Sequence, residues 1–115
     1  MAAGREGDEL MADFTEAYVR RALEPRLRGH GTIEVQQSGP SGFTIIHHYT
    51  SEWNGRPVSL PIARLRPNGN MLRLYWKRAN GRWAPYQSNG HGQFVDSLDS
   101  CLKEIDADRW RCFWG

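Results

Sequence analysis

Three turn signals divide the middle of this chain and leave it little choice of fold. Asn54-Gly55, the run Pro67, Asn68, Gly69, Asn70, and Asn80-Gly81 separate stretches rich in β-branched and aromatic residues: Phe43 to Trp53, Val58 to Arg66, Met71 to Arg78 and Trp83 to Gln87. Asn-Gly is a strong hairpin signal because both central residues of a type I′ turn need positive φ. A chain that folds back at each of these points forms an antiparallel meander, since parallel neighbours would need long crossovers. A further short run, Ile33 to Gln36, precedes the turn residues Ser38 to Gly42 and brings the sheet to four to five strands.

The flanks have helical spacing. Leu10, Met11, Phe14, Ala17, Tyr18, Ala22 and Leu23 form one apolar stripe between Glu9 and Glu24. Asp8 is placed to cap this helix, Glu9 suits its positive end, and Pro25 marks its end by lacking an N–H. Arg20, Arg21, Arg26 and Arg28 complement the helix dipole and need no ligand to explain them. Residues 1–8 read as a flexible tail, which leaves 9–115 as one domain. After a polar loop from Ser88 to Gln93 that holds His91, a second helix begins near Asp96 or Ser97, with Leu98, Cys101, Leu102 and Ile105 on one face. Trp110, Cys112, Phe113 and Trp114 form a closing aromatic tail too apolar to stand in water. The expected fold class is therefore α+β: an N-terminal helix, an antiparallel β-meander, and a C-terminal helix, with both helices packed on one face of the sheet.

At this length folding removes roughly two thirds of the unfolded surface from water, so neither a disulfide nor a metal is needed for a core. Cys101 and Cys112 form no Cys-x-x-Cys pair and read as reduced, buried thiols. Arg5, Glu6, Asp8 and Glu9 lie where a secretory signal would be apolar, and no stretch has the length of a membrane span. The expectation is a soluble cytoplasmic protein that does not meet membranes. No P-loop, dinucleotide fingerprint or Ser, His, Asp ordering appears, so no catalytic residues and no cofactor are assigned.

Charge is separated along the chain. Arg56, Arg64, Arg66, Arg73, Lys77, Arg78 and Arg82 lie between Trp53 and Val95 with no acidic residue among them, while all 13 carboxylates fall outside. That block also contains Trp53, Trp76 and Trp83. The net charge of +2 is too small to name a partner, so a basic aromatic middle is either an anion-binding face or half of an internal pairing. Asp96, Asp99, Glu104, Asp106 and Asp108 on and after the second helix are the available internal counterweight.

The turns, taken as register, divide the side chains between two faces. Ile46, Ala63, Leu65, Leu72, Leu74, Trp76 and Trp83 are expected to face the helices. Ile45, His47, Tyr49, Arg64, Arg66, Arg73, Tyr75, Lys77 and Tyr86 are expected on the other face, with Arg64 directly opposite Arg73. Like charges so placed are unfavourable unless the guanidiniums splay into solvent, a carboxylate from Asp99, Glu104, Asp106 or Asp108 reaches them, or an external anion sits between. His47 and His48 are neighbours on a strand, point to opposite faces, and cannot share a metal without distortion. Asp106 and Asp108 lack the further ligands of a calcium loop and read as a solvated helix end. No metal site is expected.

The runs PIARLR at 61–66, LYWKR at 74–78, GRWAPY at 81–86 and EIDADRWRCFWG at 104–115 resemble a bacterial family filed as domain of unknown function 3024. Its pattern is a "piA.fRy" strand, then "W.LYW.r...kWh.Y", then a C-terminal helix and a closing aromatic-Gly. The resemblance covers most of the chain from Pro61 onward. Pro67 stands where the family has an aromatic, and Ala84 where it has His, which removes that His as a shared catalytic base. The resemblance implies a bacterial cytosolic origin and a similar fold, and no activity.

Three functional readings follow. The first is a non-enzymatic binding module whose basic aromatic sheet face, Arg64, Arg66, Arg73, Tyr75 and Lys77, meets an anionic partner, single-stranded nucleic acid or an acidic protein. The second is a protein-interaction or homo-oligomeric scaffold with an apolar patch of Tyr49, Leu60, Ile62 and Tyr75. The third is an enzyme using His47 or His48, with His48 and Glu52 as acid and base.

Overall fold

The computed structural model describes residues 2–87 and 92–114, with side chains from Phe14 onward. Residues 88–91 of the expected loop, His91 among them, lie outside the described residues, as do the side chains of Leu10 and Met11. Helix α1 spans Ala2–Leu27, so it starts at Ala2 rather than Glu9 and takes in the stretch read as a tail. It also continues through Pro25. In the last turn a proline removes one hydrogen bond, and burial of Leu27 in the core offsets that loss. The chain leaves the helix through Arg28 and Gly29, both at positive φ, with the His30 N–H donating to the Leu27 carbonyl at 2.9 Å.

Strands β1 (Thr32–Gln37), β2 (Phe43–Thr50), β3 (Pro57–Asn68), β4 (Met71–Lys77) and β5 (Trp83–Pro85) follow in meander order, every neighbouring pair antiparallel. A two-residue strand, β6 (Val95–Asp96), pairs with β4 beside β5 before helix α2 (Leu98–Ala107). The sequence gives no sign of β6, because two residues carry no period. Gly31 leads into β1 at φ +104°, where a Cβ would lie 2.1 Å from the His48 carbonyl oxygen, so only glycine fits.

The three hairpin loops from β2 to β5 differ in length, and this corrects the expected registers. Ser51 and Arg56 are bridged by an N–H···O bond of 2.9 Å, so Glu52, Trp53, Asn54 and Gly55 form the β2–β3 loop. Asn54 does not take positive φ; its side chain accepts the Arg56 N–H at 3.0 Å, and Gly55 alone is left-handed at +70°. Asn80 behaves the same way toward the Arg82 N–H at 2.9 Å, which gives a three-residue β4–β5 loop with Gly81 at +83°. Between β3 and β4, Asn68 pairs with Met71, so Gly69 and Asn70 make the two-residue turn and Pro67 belongs to the strand.

A β-bulge completes the rearrangement. Ile45 faces Ala63 and Ile46 faces Pro61, which leaves Ile62 as the extra residue. Ile45, expected outside, is therefore in the core at 0% exposure, and Ile46 takes the opposite face. His47 and Tyr49 also move to the helix side. Trp83, expected inside, pairs with Lys77 and lies outside, whereas Tyr86 is buried.

The core is one cluster. Val19, Leu23 and Leu27 of α1 and Cys101, Leu102 and Ile105 of α2 meet Ile33, Ile45, Ala63, Leu65 and Leu74 of the sheet, with Tyr86 and Phe113. Each fully buried Leu or Ile contributes roughly 1.5–3 kcal/mol. Both helices therefore cover one face. Ser97 caps α2 through its hydroxyl, which accepts the Ser100 N–H at 3.2 Å. At the other end Asp108 turns left-handed at φ +44°, and its carboxylate accepts the N–H groups of Cys112, Phe113 and Trp114 at 2.9, 3.0 and 3.4 Å. That grip folds the aromatic tail back, and Trp114 donates its indole N–H to the Ile105 carbonyl at 2.9 Å.

Candidate anion-binding face

Alternation along β3 and β4 decides where the basic residues go. Leu65 and Leu74 are paired and fully buried, so Arg64, Arg66, Arg73, Tyr75 and Lys77 all project from the face away from the helices. The five residues expected to share a surface do share one. Their pairing differs from expectation: the tight Gly69-Asn70 turn sets Arg66, not Arg64, opposite Arg73, and Arg64 faces Tyr75.

Arg64 lies with its guanidinium carbon 4.7 Å from the centre of the Trp83 ring, and its Nε donates to the Thr44 hydroxyl at 3.3 Å. Burial, and then the charge of Arg66, lower its pKa from the usual arginine value, and it stays protonated. Lys77 approaches the same ring, with Nζ 5.8 Å from its centre. Arg73 donates Nη2 to the Asn68 side chain at 3.4 Å, while its buried Nε has no partner among the described residues. Trp83 was missed as part of this face because a two-residue Asn80-Gly81 turn would have put it inside.

The helical carboxylates are engaged elsewhere. Tyr18 donates to Asp99; Arg26 pairs with Asp106 at 3.6 Å; Asp108 holds the tail. Glu104, buried, accepts the Tyr86 hydroxyl at 2.8 Å and pairs with Arg109 at 2.7 Å. Burial and the bond to Glu104 push the Tyr86 hydroxyl far above its usual pKa. Among the described residues no carboxylate lies within ion-pair distance of Arg64, Arg66, Arg73 or Lys77. An internal carboxylate, one of the three ways open to relieve opposed arginines, is absent from this set.

The histidines separate as their alternation requires. His47 faces the helix side, stacks on Tyr49 at 4.7 Å, meets the edge of Trp114 at 5.6 Å, and has Nε2 3.0 Å from the His30 carbonyl oxygen. His48 faces outward between Ser59 Oγ, 2.8 Å from Nδ1, and Glu34 Oε1, 2.6 Å from Nε2. Its carboxylate partner is thus Glu34 across β1 and β2, not Glu52. The trio ties three strands together by side-chain bonds. No group of three or more His, Cys, Asp or Glu could hold a metal among the described residues. The scaffold patch does not assemble either: Tyr75 points outward, Tyr49 and Leu60 point to the helix side, and Ile62 is buried in the bulge.

The model of the family described as Domain of unknown function (DUF3024) matches residues 4–115. The chain belongs to this family. No curated protein and no solved structure matches it. The match begins well before Pro61, so the DUF3024 unit takes in α1 and the first two strands as well as the aromatic motifs. Those motifs have clear positions: PIARLR crosses the bulge in β3, LYWKR is the end of β4 and the residue after it, and GRWAPY carries β5 and the buried Tyr86. In this DUF3024 chain Ala84 is buried opposite Trp76, and Pro67 is the last residue but one of β3, paired with Leu72. No helix is long and apolar enough to cross a membrane among the described residues.

Proposed function

We propose that this protein is a non-enzymatic binding module whose open sheet face takes single-stranded nucleic acid. The observation that carries the reading is the cationic row Arg64, Arg66, Arg73 and Lys77, left uncovered by the helices and without a carboxylate partner among the described residues. Arg66 and Arg73, opposed across two strands, favour a phosphate between them. Tyr75 and Trp83 lie on the same face, and aromatic rings beside arginines hold bases without demanding a sequence. Arg64 already covers Trp83 and would move aside or stack with the incoming base.

A labelled single-stranded oligonucleotide titrated at about 50 mM salt, and again at rising salt, tests this. Binding that weakens with salt and drops with Arg73→Ala supports it. Absence of binding, or binding unchanged by Arg73→Ala, rejects it. Equal competition by poly-glutamate would reject nucleic acid in favour of an acidic protein partner.

A further inference from the structure

A second surface lies at the edge of the sheet, away from the face just described. The tail that Asp108 folds back forms one wall of an open cleft, and the end of β4 with β5 forms the other. Trp76, Arg78 and Pro85 line the sheet side; Trp110, Arg111 and Cys112 line the tail side; Tyr86 and Gln87 complete it. Its volume, about 490 Å³, lies within the range of small-molecule sites.

The chemistry of this cleft is specific. It has two guanidiniums and no acidic side chain in its lining, and neither Arg78 nor Arg111 meets a carboxylate among the described residues. Two cations on facing walls repel each other until an anion joins them. Each wall also carries an indole: Trp110 is 61% exposed, and the Trp76 ring has the Arg78 guanidinium carbon 5.8 Å from its centre. Arg111 holds φ at +54°, a region that L-residues avoid and that is found at ligand clamps. The Asp108 carboxylate enforces that turn by taking the N–H of Cys112, the next residue.

From these features we infer that the cleft between β4–β5 and the C-terminal tail is a binding site for a nucleoside monophosphate. The base enters between Trp76 and Trp110, and the phosphate is held by Arg78 and Arg111. The ligand is either a free mononucleotide or the phosphorylated end of a strand, which share this chemistry. The site does not depend on the outer face, whose residues Arg64, Arg66 and Arg73 are not part of it.

Tryptophan fluorescence of the full chain, titrated in parallel with adenosine monophosphate, adenosine, inorganic phosphate and a 5′-phosphorylated tetranucleotide, tests the inference. The expected result is saturable quenching by the mononucleotide, the tetranucleotide or both, whichever is tighter naming the source. Adenosine and phosphate alone should bind at least tenfold more weakly. Arg78→Ala and Arg111→Gly should each weaken nucleotide binding about tenfold or more, the second without strain because glycine accepts the same backbone. A tetranucleotide without the 5′-phosphate, which the sheet face would still take, should be indifferent to Arg78→Ala and Arg111→Gly, which separates this site from the sheet face. Lack of saturation by both phosphorylated ligands, phosphate binding as tightly as the nucleotide, or indifference to both arginine substitutions would overturn the inference.

Discussion

Arg66 stands directly opposite Arg73 on adjacent strands, and neither side chain has a carboxylate partner among the described residues. Opposed like charges on a sheet cost roughly 0.2–1 kcal/mol, and that cost is relieved when an anion binds. Residues kept for binding and residues kept for folding therefore separate here. Arg73→Ala should leave thermal stability unchanged or slightly raised while weakening oligonucleotide binding. If Arg73 contacts one phosphate, the slope of log affinity against log salt should fall by about 0.7. Parallel melting and salt titrations check both halves.

The trio Tyr86, Glu104 and Arg109 should behave in the opposite way, as a stability element without effect on binding. Tyr86→Phe leaves the buried Glu104 carboxylate short of a donor 2.8 Å away and should cost about 1.5–3 kcal/mol. Arg109→Ala should cost less, since that side chain is more than half exposed. Urea unfolding of the two variants gives the ordering.

Asp108 holds three backbone N–H groups at once. Asp108→Ala should cost about 2 kcal/mol, in line with hydrogen bonds to a charged acceptor. The loss should be local: limited proteolysis should cut the tail after Asp108 before the sheet opens, with a red shift of tryptophan emission as Trp114 loses its contacts.

Alkaline pH should weaken the fold through its thiols. Burial, then the Asp96 charge, push Cys101 up to about 12, and burial, then Asp108, push Cys112 up to about 11. A raised folded-state pKa means the native state holds the proton more tightly than the unfolded chain. The associated stability is complete below the ordinary thiol pKa and is lost as pH rises through 9 toward 11 and 12. Cys101 dominates, being fully buried where Cys112 is only partly so. Melting temperatures of the native chain and Cys101→Ala across this window should converge as pH rises. At neutral pH both thiols should resist alkylation until the protein unfolds.

Most of the fold was legible because it rests on period. The apolar stripe of α2 and the alternation of β3 and β4 read correctly, and with them the shared face of Arg64, Arg66, Arg73, Tyr75 and Lys77. On α1 the buried line is Val19, Leu23 and Leu27, so of the expected stripe Leu23 alone joins the core among the described side chains, while Phe14, Ala17, Tyr18 and Ala22 are exposed. What failed was phase. In sequence Asn54 and Asn80 read as left-handed turn residues, but each satisfies a backbone N–H with its side chain and so lengthens its loop. An added residue at the β4–β5 loop sent Trp83 outward, and the β2–β3 bulge sent Ile45 inward. Pro61 was the available warning of that bulge, since proline within a paired strand is confined to edges, first positions and bulges. The edge cleft was beyond reach because its walls come from β4, β5 and the tail, which only the completed fold brings together.

The bulge at Ile62 places an unusual demand on heredity. Before it the even-numbered residues of β3 face the core, and after it the odd-numbered ones do. Both ends of the strand are fixed by hairpin loops of set length, so a missing residue cannot be absorbed by sliding. Many side chains could stand at Ile62 at moderate cost, but a one-codon deletion there would turn either the leucines or the arginines to the wrong side. At this point in the gene it is spacing, more than spelling, that has to be preserved.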